Sequence, residues 1–405
     1  MHPTDSQETK DTQSFADAFD PRRNAFNVLR LVLAVLVIVG HCFPLGGFGE
    51  EWPIPALTGG RYSLGTLSVG MFFLLSGFLI TRSGSGNLSV GRFLWHRFLR
   101  IFPGYWVCLL VTAFIFAPIF CAIEHGTVFD IFIAPAHTPQ SYVIDHAAMF
   151  QARGFSMKSV MAVSSGHIVG LLSHNPTPWS INGSLWTLPI ELICYLAMAV
   201  LAGLGVVQRR RAVVLALFAI LLAVREVKCI SPETFSHYYP FVGFDVLSYF
   251  CFYFFAGSVC YLYRARIPYS KALFFVSICL ATLGLTVTRL GFLAPLALPY
   301  SFLCLSFALP VARFSMKGDY SYGTYIYAFP VQQGLALVGL HHAGFGLYLT
   351  SCLLITGVLA VISYRYVEAP CLRWKNWDVV ATLATWFRPM SRPVLVAVPT
   401  SKPEF

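Results

Sequence analysis

Charge is what this sequence has least of. Only 11% of its 405 residues are Asp, Glu, Lys or Arg, and acidic residues are the scarcer sign, 18 against 28 basic. Soluble domains carry roughly 25% charged residues. A chain that is 57% apolar with a mean hydropathy of +0.67 would leave much of that apolar surface facing water, so a soluble globular protein is excluded. Disorder is excluded as well, because it needs low hydrophobicity and high charge. No C-x-x-C pair occurs among the 11 cysteines. Zinc, haem and iron–sulfur signatures are therefore missing, and no metal is expected. Most cysteines sit in apolar runs, where Cys behaves as a small hydrophobe. The net charge of +10 comes without a basic stripe or a nucleic-acid motif, so no nucleic-acid partner is expected. There is also no internal repeat, which removes support for the inverted-repeat architecture of many transporters.

What is present in abundance is long apolar sequence. A spanning helix needs about 20 mostly apolar residues, and ten such segments are expected, at 26–46, 64–82, 103–122, 184–206, 211–228, 241–263, 272–289, 291–312, 321–340 and 346–366. The fold expected is thus all-α, a polytopic membrane protein with about ten transmembrane helices surrounded by membrane lipids. Arg22, Arg23, Arg82, Arg92, Arg97, Arg100, Arg209, Arg210, Arg211, Arg264, Arg266, Lys271, Arg313 and Lys317 fall on one side of that bundle. Arg61, Arg153, Lys158, Arg225, Lys228 and Arg289 fall on the other. The positive-inside rule then puts the N- and C-termini in the cytoplasm. Residues 1–24 are polar and read as a disordered cytoplasmic tail, 25–375 as the membrane domain and 376–405 as a cytoplasmic C-terminal tail. One outer loop, 123–183, is long enough to carry function, and it includes His167, His174 and Trp179.

Ionisable groups inside a span cost several kcal/mol and mark function by default. The first span carries Arg30 and His41, eleven residues or about 16 Å apart on nearly the same face. Arg30 could equally snorkel to the inner interface. Glu191 lies about nine residues into the fourth span, at a depth where it could meet His41 and raise the basicity of the imidazole; a structural His–Glu pair is the alternative. Before the third span, residues 92–103 read as an amphipathic interfacial helix. Arg97 and Arg100, three apart, share one of its faces. Two guanidiniums there suit the phosphates of a cofactor or anionic lipid headgroups.

The blocks R-N-A-F-N-V-L-R (23–30) with His41 beyond it, V-G-M-F-F-L-L-S-G-F-L-I (69–80), F-L-W-H-R-F-L-R-I-F-P (93–103), N-G-S-L-W-T-L-P-I-E (182–191), G-D-Y-S-Y-G-T-Y-I-Y (318–327) and Y-R-Y-V-E-A-P (364–370) occur in that order. Taken together, the chain resembles the acyltransferase 3 family of integral-membrane acyltransferases over about residues 22–375. The resemblance implies transfer of an acyl group, usually acetyl from acetyl-CoA or another acyl-CoA, to a sugar hydroxyl on the far side of a bacterial inner membrane. The carbohydrate acceptor would be lipopolysaccharide, exopolysaccharide or a related glycan. The family's essential Arg and His correspond to Arg30 and His41, its Arg-x-x-Arg pair to Arg97 and Arg100, and its fourth-helix acid to Glu191. Some members have a His in the ninth helix where this chain has Ala328, so no role for that group carries over. In this scheme His41 and Glu191 are catalytic with Arg30 nearby, and Arg97 and Arg100 bind CoA. Asn182, Ser184 and Trp186, near the outer mouth, are candidate acceptor contacts, although Trp186 also fits an interfacial belt residue. A transporter or flippase of a small anion or glycolipid is the competing class, since it too would want Arg30, His41 and Glu191 within the bilayer. Oligomeric state has no signal in the sequence.

Overall fold

The structure is a computed structural model that describes residues 13–21, 24–86, 89–133, 138–149, 171–178, 180–231, 233, 235, 243–309 and 318–377. His167 and Trp179 lie outside the described residues, as does the C-terminal tail beyond 377. Among the described residues the chain is helical throughout, with no named strand. Each of the ten expected segments falls on a helix. We label them α1 (Phe26–Leu45), α2 (Leu64–Gly84), α3 (Val90–His125), α4 (Gly183–Gly203), α5 (Arg211–Ile230), α6 (Phe244–Leu262), α7 (Lys271–Thr286), α8 (Leu293–Ala308), α9 (Ser321–Leu337) and α10 (Phe345–Asn376).

Six of them, α1, α2, α3, α4, α6 and α10, are long and apolar enough to cross a membrane. The other four fall short for identifiable reasons. α7 and α8 have 16 residues each and α9 has 17, about 24–26 Å at 1.5 Å per residue, against a hydrocarbon core of about 30 Å. α5 is long enough but carries Arg225, Glu226 and Lys228 in its last turns.

Local chemistry fixes several helix ends. The hydroxyls of Ser63 and Ser89 accept the N–H groups of Thr66 (3.0 Å) and Arg92 (3.3 Å), capping α2 and α3. α3 is continuous from the expected interfacial segment through the third span, 36 residues with one π-helical turn at Thr112–Phe116. At about 54 Å it is longer than the hydrocarbon core is thick. The innermost helix pair is α2 against α6. A Cβ on Gly77 would collide with the Phe254 carbonyl, and one on Gly257 with the Leu74 carbonyl. Glycine at both positions lets the two backbones touch, the small-residue packing that joins helices in lipid.

The expected disordered tail is partly ordered. Phe15–Ala18 forms a short helix closed by a Ser14–Asp17 capping box. Phe15 is fully buried, stacked on Tyr300 at 5.3 Å and edge-on to Phe307 at 5.2 Å. Two phenylalanines, Phe15 and Phe19, supply the apolar anchors that the polar average of the tail hides. The long loop is also pinned. Asn175 donates to the Gln333 carbonyl (2.9 Å), and Gln333 donates to the carbonyls of Thr177 and Ser180 (2.8 Å each), holding the return strand of the loop on the end of α9.

Candidate active site

The helices alternate in direction. One end of the bundle therefore gathers the starts of α1, α3 and α9, and the other gathers the end of α1 with the starts of α2 and α4. At the first end, the start of α9 supplies Asp319. Its Oδ2 accepts from Arg30 Nη1 at 2.7 Å and from Arg100 Nη2, while its Oδ1 accepts the N–H of Ser321 at 3.1 Å and also the Ser321 hydroxyl. The other Arg100 amino group lies 3.8 Å from Glu368 Oε2, and the Ser363 hydroxyl donates to Glu368 Oε1 at 3.1 Å. Burial alone would raise the Asp319 carboxyl, but Arg100, Arg30 and the Ser321 donors outweigh it and hold the group down at about 2. The Arg30 side chain is 21% exposed and committed to this ion pair.

Arg97 lies one turn of α3 before Arg100 but keeps different company. Its guanidinium sits 5.9 Å from the ring of Phe93 and 5.9 Å from that of Tyr195, and its buried Nε has no hydrogen-bond partner. The two arginines that sequence spacing pairs are thus unequal: Arg100 is neutralised by carboxylates, whereas Arg97 is held between aromatic rings.

Further into the bundle, a cavity of about 40 Å³ is lined by Arg30, Phe72, Phe73, Thr187, Glu191, Ser321, Tyr322 and Tyr325, among others. Glu191 Oε1 accepts the hydroxyl of Tyr195, and Ser76 Oγ lies 3.4 Å from it. Arg30 and Glu191, each in the first half of its helix, are therefore brought to one cavity by helices that start at opposite ends of the bundle. The cavity's volume is that of about one water molecule, too small for an acyl thioester as it stands.

His41 is not hydrogen-bonded to Glu191, so the pairing expected from depth along the helices is not formed. It stands on the last turn of α1, where Pro44 cannot donate to the Gly40 carbonyl. Its Nδ1 is buried without a hydrogen-bond partner. Phe329 holds the ring edge-on at 5.5 Å. Phe329 is four residues beyond Tyr325 on α9, which puts His41 about one helical turn above the cavity. Phe329 in turn fits only because residue 183 is glycine, since a Cβ there would come within 2.6 Å of its ring. The α2 start closes the other side: a Cβ on Gly65 would lie 3.8 Å from His41 Nε2, and the carboxylate of Glu51 packs on Gly40 and accepts the Leu64 N–H.

The three candidate acceptor contacts separate. Asn182 is buried, caps the first turn of α4 and donates to the Ile326 carbonyl at 3.0 Å. Ser184 is buried too, its hydroxyl unpartnered. Trp186 instead faces a second, larger cavity and packs on Phe250 at 5.6 Å. Phe73 and Phe250, with ring centroids 4.9 Å apart, stand between the two cavities. Sequence reasoning did not single out Asp319, Glu368, Glu51 or Tyr195. The available signal was that Asp319 and Glu368 sit in two of the six ordered blocks, and that each acid in so acid-poor a chain needs a cationic partner.

Comparison with known proteins supplies a family. A sequence profile described as an acyltransferase domain, Acyl_transf_3, matches residues 23–365. The chain is 29% identical over 337 residues to the "O-acetyl transferase" of Shigella phage Sf6, an alignment covering 80% of this chain and 88% of that one. No solved structure matches. The profile takes in α1 to α9 and most of α10, with Arg30, His41, Arg97, Arg100, Glu191 and Asp319 inside its bounds: the chain belongs to the acyltransferase 3 family and is an acyl-transferring enzyme.

Proposed function

We propose that this multi-pass membrane protein moves an acetyl group from cytoplasmic acyl-CoA to a hydroxyl of a carbohydrate acceptor at the other face of a bacterial inner membrane. The observation that carries this reading is the linear order of groups through the bundle. Three arginines gather at one end, a small cavity with Arg30 and Glu191 follows, and His41 stands one turn beyond it toward the opposite end. In this reading all ten helices embed in the membrane, and both termini lie in the cytoplasm with the arginine end.

Arg97, with no carboxylate ion pair among the described residues, is the guanidinium best suited to a donor phosphate, with Arg100 and Arg30 adjoining. The thioester would reach the cavity only as the surrounding helices part. His41 Nε2 takes the proton of the acceptor hydroxyl as its oxygen bonds to the acyl carbon. The carbon–sulfur bond then breaks, and the proton passes to the departing CoA thiolate. Glu191, bonded to Tyr195 and not to His41, acts from the far wall of the cavity, where its charge offsets those of Arg97 and Arg30. Direct transfer needs no further group.

The test is to supply labelled acetyl-CoA to membranes containing the protein and to assay alkali-labile label in glycan. Ester-linked label is expected. Uptake or flipping of a solute without any acylation would overturn the reading.

A further inference from the structure

The larger cavity, about 630 Å³, opens where α2, α4 and α6 begin and α5 ends. Its size suits a small ligand or a short stretch of polymer. Trp186, Phe250, Tyr62 and Tyr249 give it aromatic walls, and Arg61, Arg225, Lys228 and Asp245 give it charge. Two of the three cations are already occupied. Arg61 donates to the carbonyls of Thr58, Gly284 and Leu285 at 2.8–3.2 Å, and Lys228 pairs with Asp245 at 2.6 Å. Arg225 is different. Its residue is only 6% exposed, its guanidinium lies 4.6 Å from the Tyr249 ring centroid, and its Nε has no hydrogen-bond partner. Among the described residues no carboxylate forms an ion pair with it; the Tyr62 hydroxyl is its side-chain hydrogen-bond partner, and the neighbouring Glu226 acts on it through charge alone. The Tyr249 hydroxyl, buried in the same wall, is also unpartnered.

A buried guanidinium without a counter-ion is costly unless something anionic completes it. Tyr249 adds a second donor, and Trp186 adds an aromatic face of the kind that sugar rings pack on. We propose that this cavity is the acceptor subsite and that it grips the acceptor by an anionic group, a phosphate or a carboxylate, held by Arg225 and Tyr249 beside a sugar on Trp186. Calling the ligand an acceptor rests on the acyl-transfer reading above; the anion site itself does not. Phe73 and Phe250 then separate the gripped group from the Arg30–Glu191 cavity, so the reacting hydroxyl belongs to a different residue of the acceptor from the one that carries the charge.

The test is calorimetric titration of the purified full chain in detergent at low ionic strength with inorganic pyrophosphate, glucuronate and glucose. Binding of an anion but not of glucose is expected. Arg225→Gln should weaken it about tenfold or more, the loss of one charge-assisted contact. Asp245→Asn, at a half-exposed pair that the fold can spare, should tighten it severalfold by removing the cavity's own carboxylate. Stronger binding of pyrophosphate would assign the group to a phosphate, and stronger binding of glucuronate to a carboxylate. No anion binding by the wild type, or binding unchanged in both variants, would overturn the proposal. If Arg225→Gln does not fold, Asp245→Asn decides the matter alone. Anion binding without acyl transfer in the membrane assay would refute the enzymatic role and leave the anion site standing.

Discussion

Replacing Asp319 by Asn keeps the shape of the side chain and removes the charge on which two guanidiniums converge. The cost can be approached in two ways. Holding the carboxyl at about 2 rather than its ordinary 3.8 corresponds to about 2 kcal/mol of stability at neutral pH. Breaking a buried ion pair costs roughly 3–5 kcal/mol, and the side chains here are 13–21% exposed, which favours the lower end. The expected loss is therefore about 3 kcal/mol, or a fall in Tm of about 3–4 °C for a chain of this length, measured by tryptophan fluorescence in detergent. The sign with pH follows from the depressed value. The carboxylate's own contribution is complete above about pH 4 and fades as pH falls toward 2, so wild type and variant should converge in strong acid. Because Arg30 and Arg100 share one carboxylate oxygen, the effects of Asp319→Asn and Arg30→Gln should overlap by at least about 1 kcal/mol in a double-mutant cycle. Additive losses, or a variant that melts with the wild type, would refute the view that Asp319 is the hub of this end of the bundle.

His41→Gln should lower acyl transfer by about 100- to 10,000-fold, the usual range for a general base, with expression and membrane insertion unchanged; retained activity would remove His41 from the chemistry. Arg97→Gln should raise the KM for acyl-CoA with little change in melting, because Arg97 lacks a carboxylate partner, whereas Arg100→Gln should change both. An effect on acceptor KM alone would show that Arg97 does not meet the donor. Gly183→Ala should push Phe329 off the His41 ring and lower kcat by roughly tenfold to a hundredfold while leaving the KM for acyl-CoA in place. Unchanged kcat would mean that Phe329 does not position His41.

Hydropathy located all ten helices because one-dimensional apolar length is what a membrane helix is made of. It could not say which of them are long enough to cross, since α7 and α8 fall only a few residues short of that length. The arginine and histidine positions were legible for a similar reason: a charge in an apolar run is conspicuous wherever it falls. Their partners were not. Asp319 lies 289 residues from Arg30 and 219 from Arg100, and no local pattern encodes a contact made by helix packing. The expected His41–Glu191 pair failed on the same point, because equal depth along two helices does not fix which faces meet. Tyr195, one turn along α4, reaches Glu191 instead. The ordered Phe15 was missed because a tail is judged by its average, while docking depends on one or two aromatic side chains.

The ring pair of Phe73 and Phe250 bears on something other than catalysis. An enzyme that takes one reactant from each side of a bilayer is, in outline, a pore, and a continuous wet path through Arg30, Glu191 and Arg225 would let protons and small ions run down the membrane potential. With the inner cavity only about 40 Å³ in volume and the rings of Phe73 and Phe250 set between it and the cavity beyond, that path is narrowed at its middle. A cell could then keep many copies of such a protein in an energised membrane without discharging it.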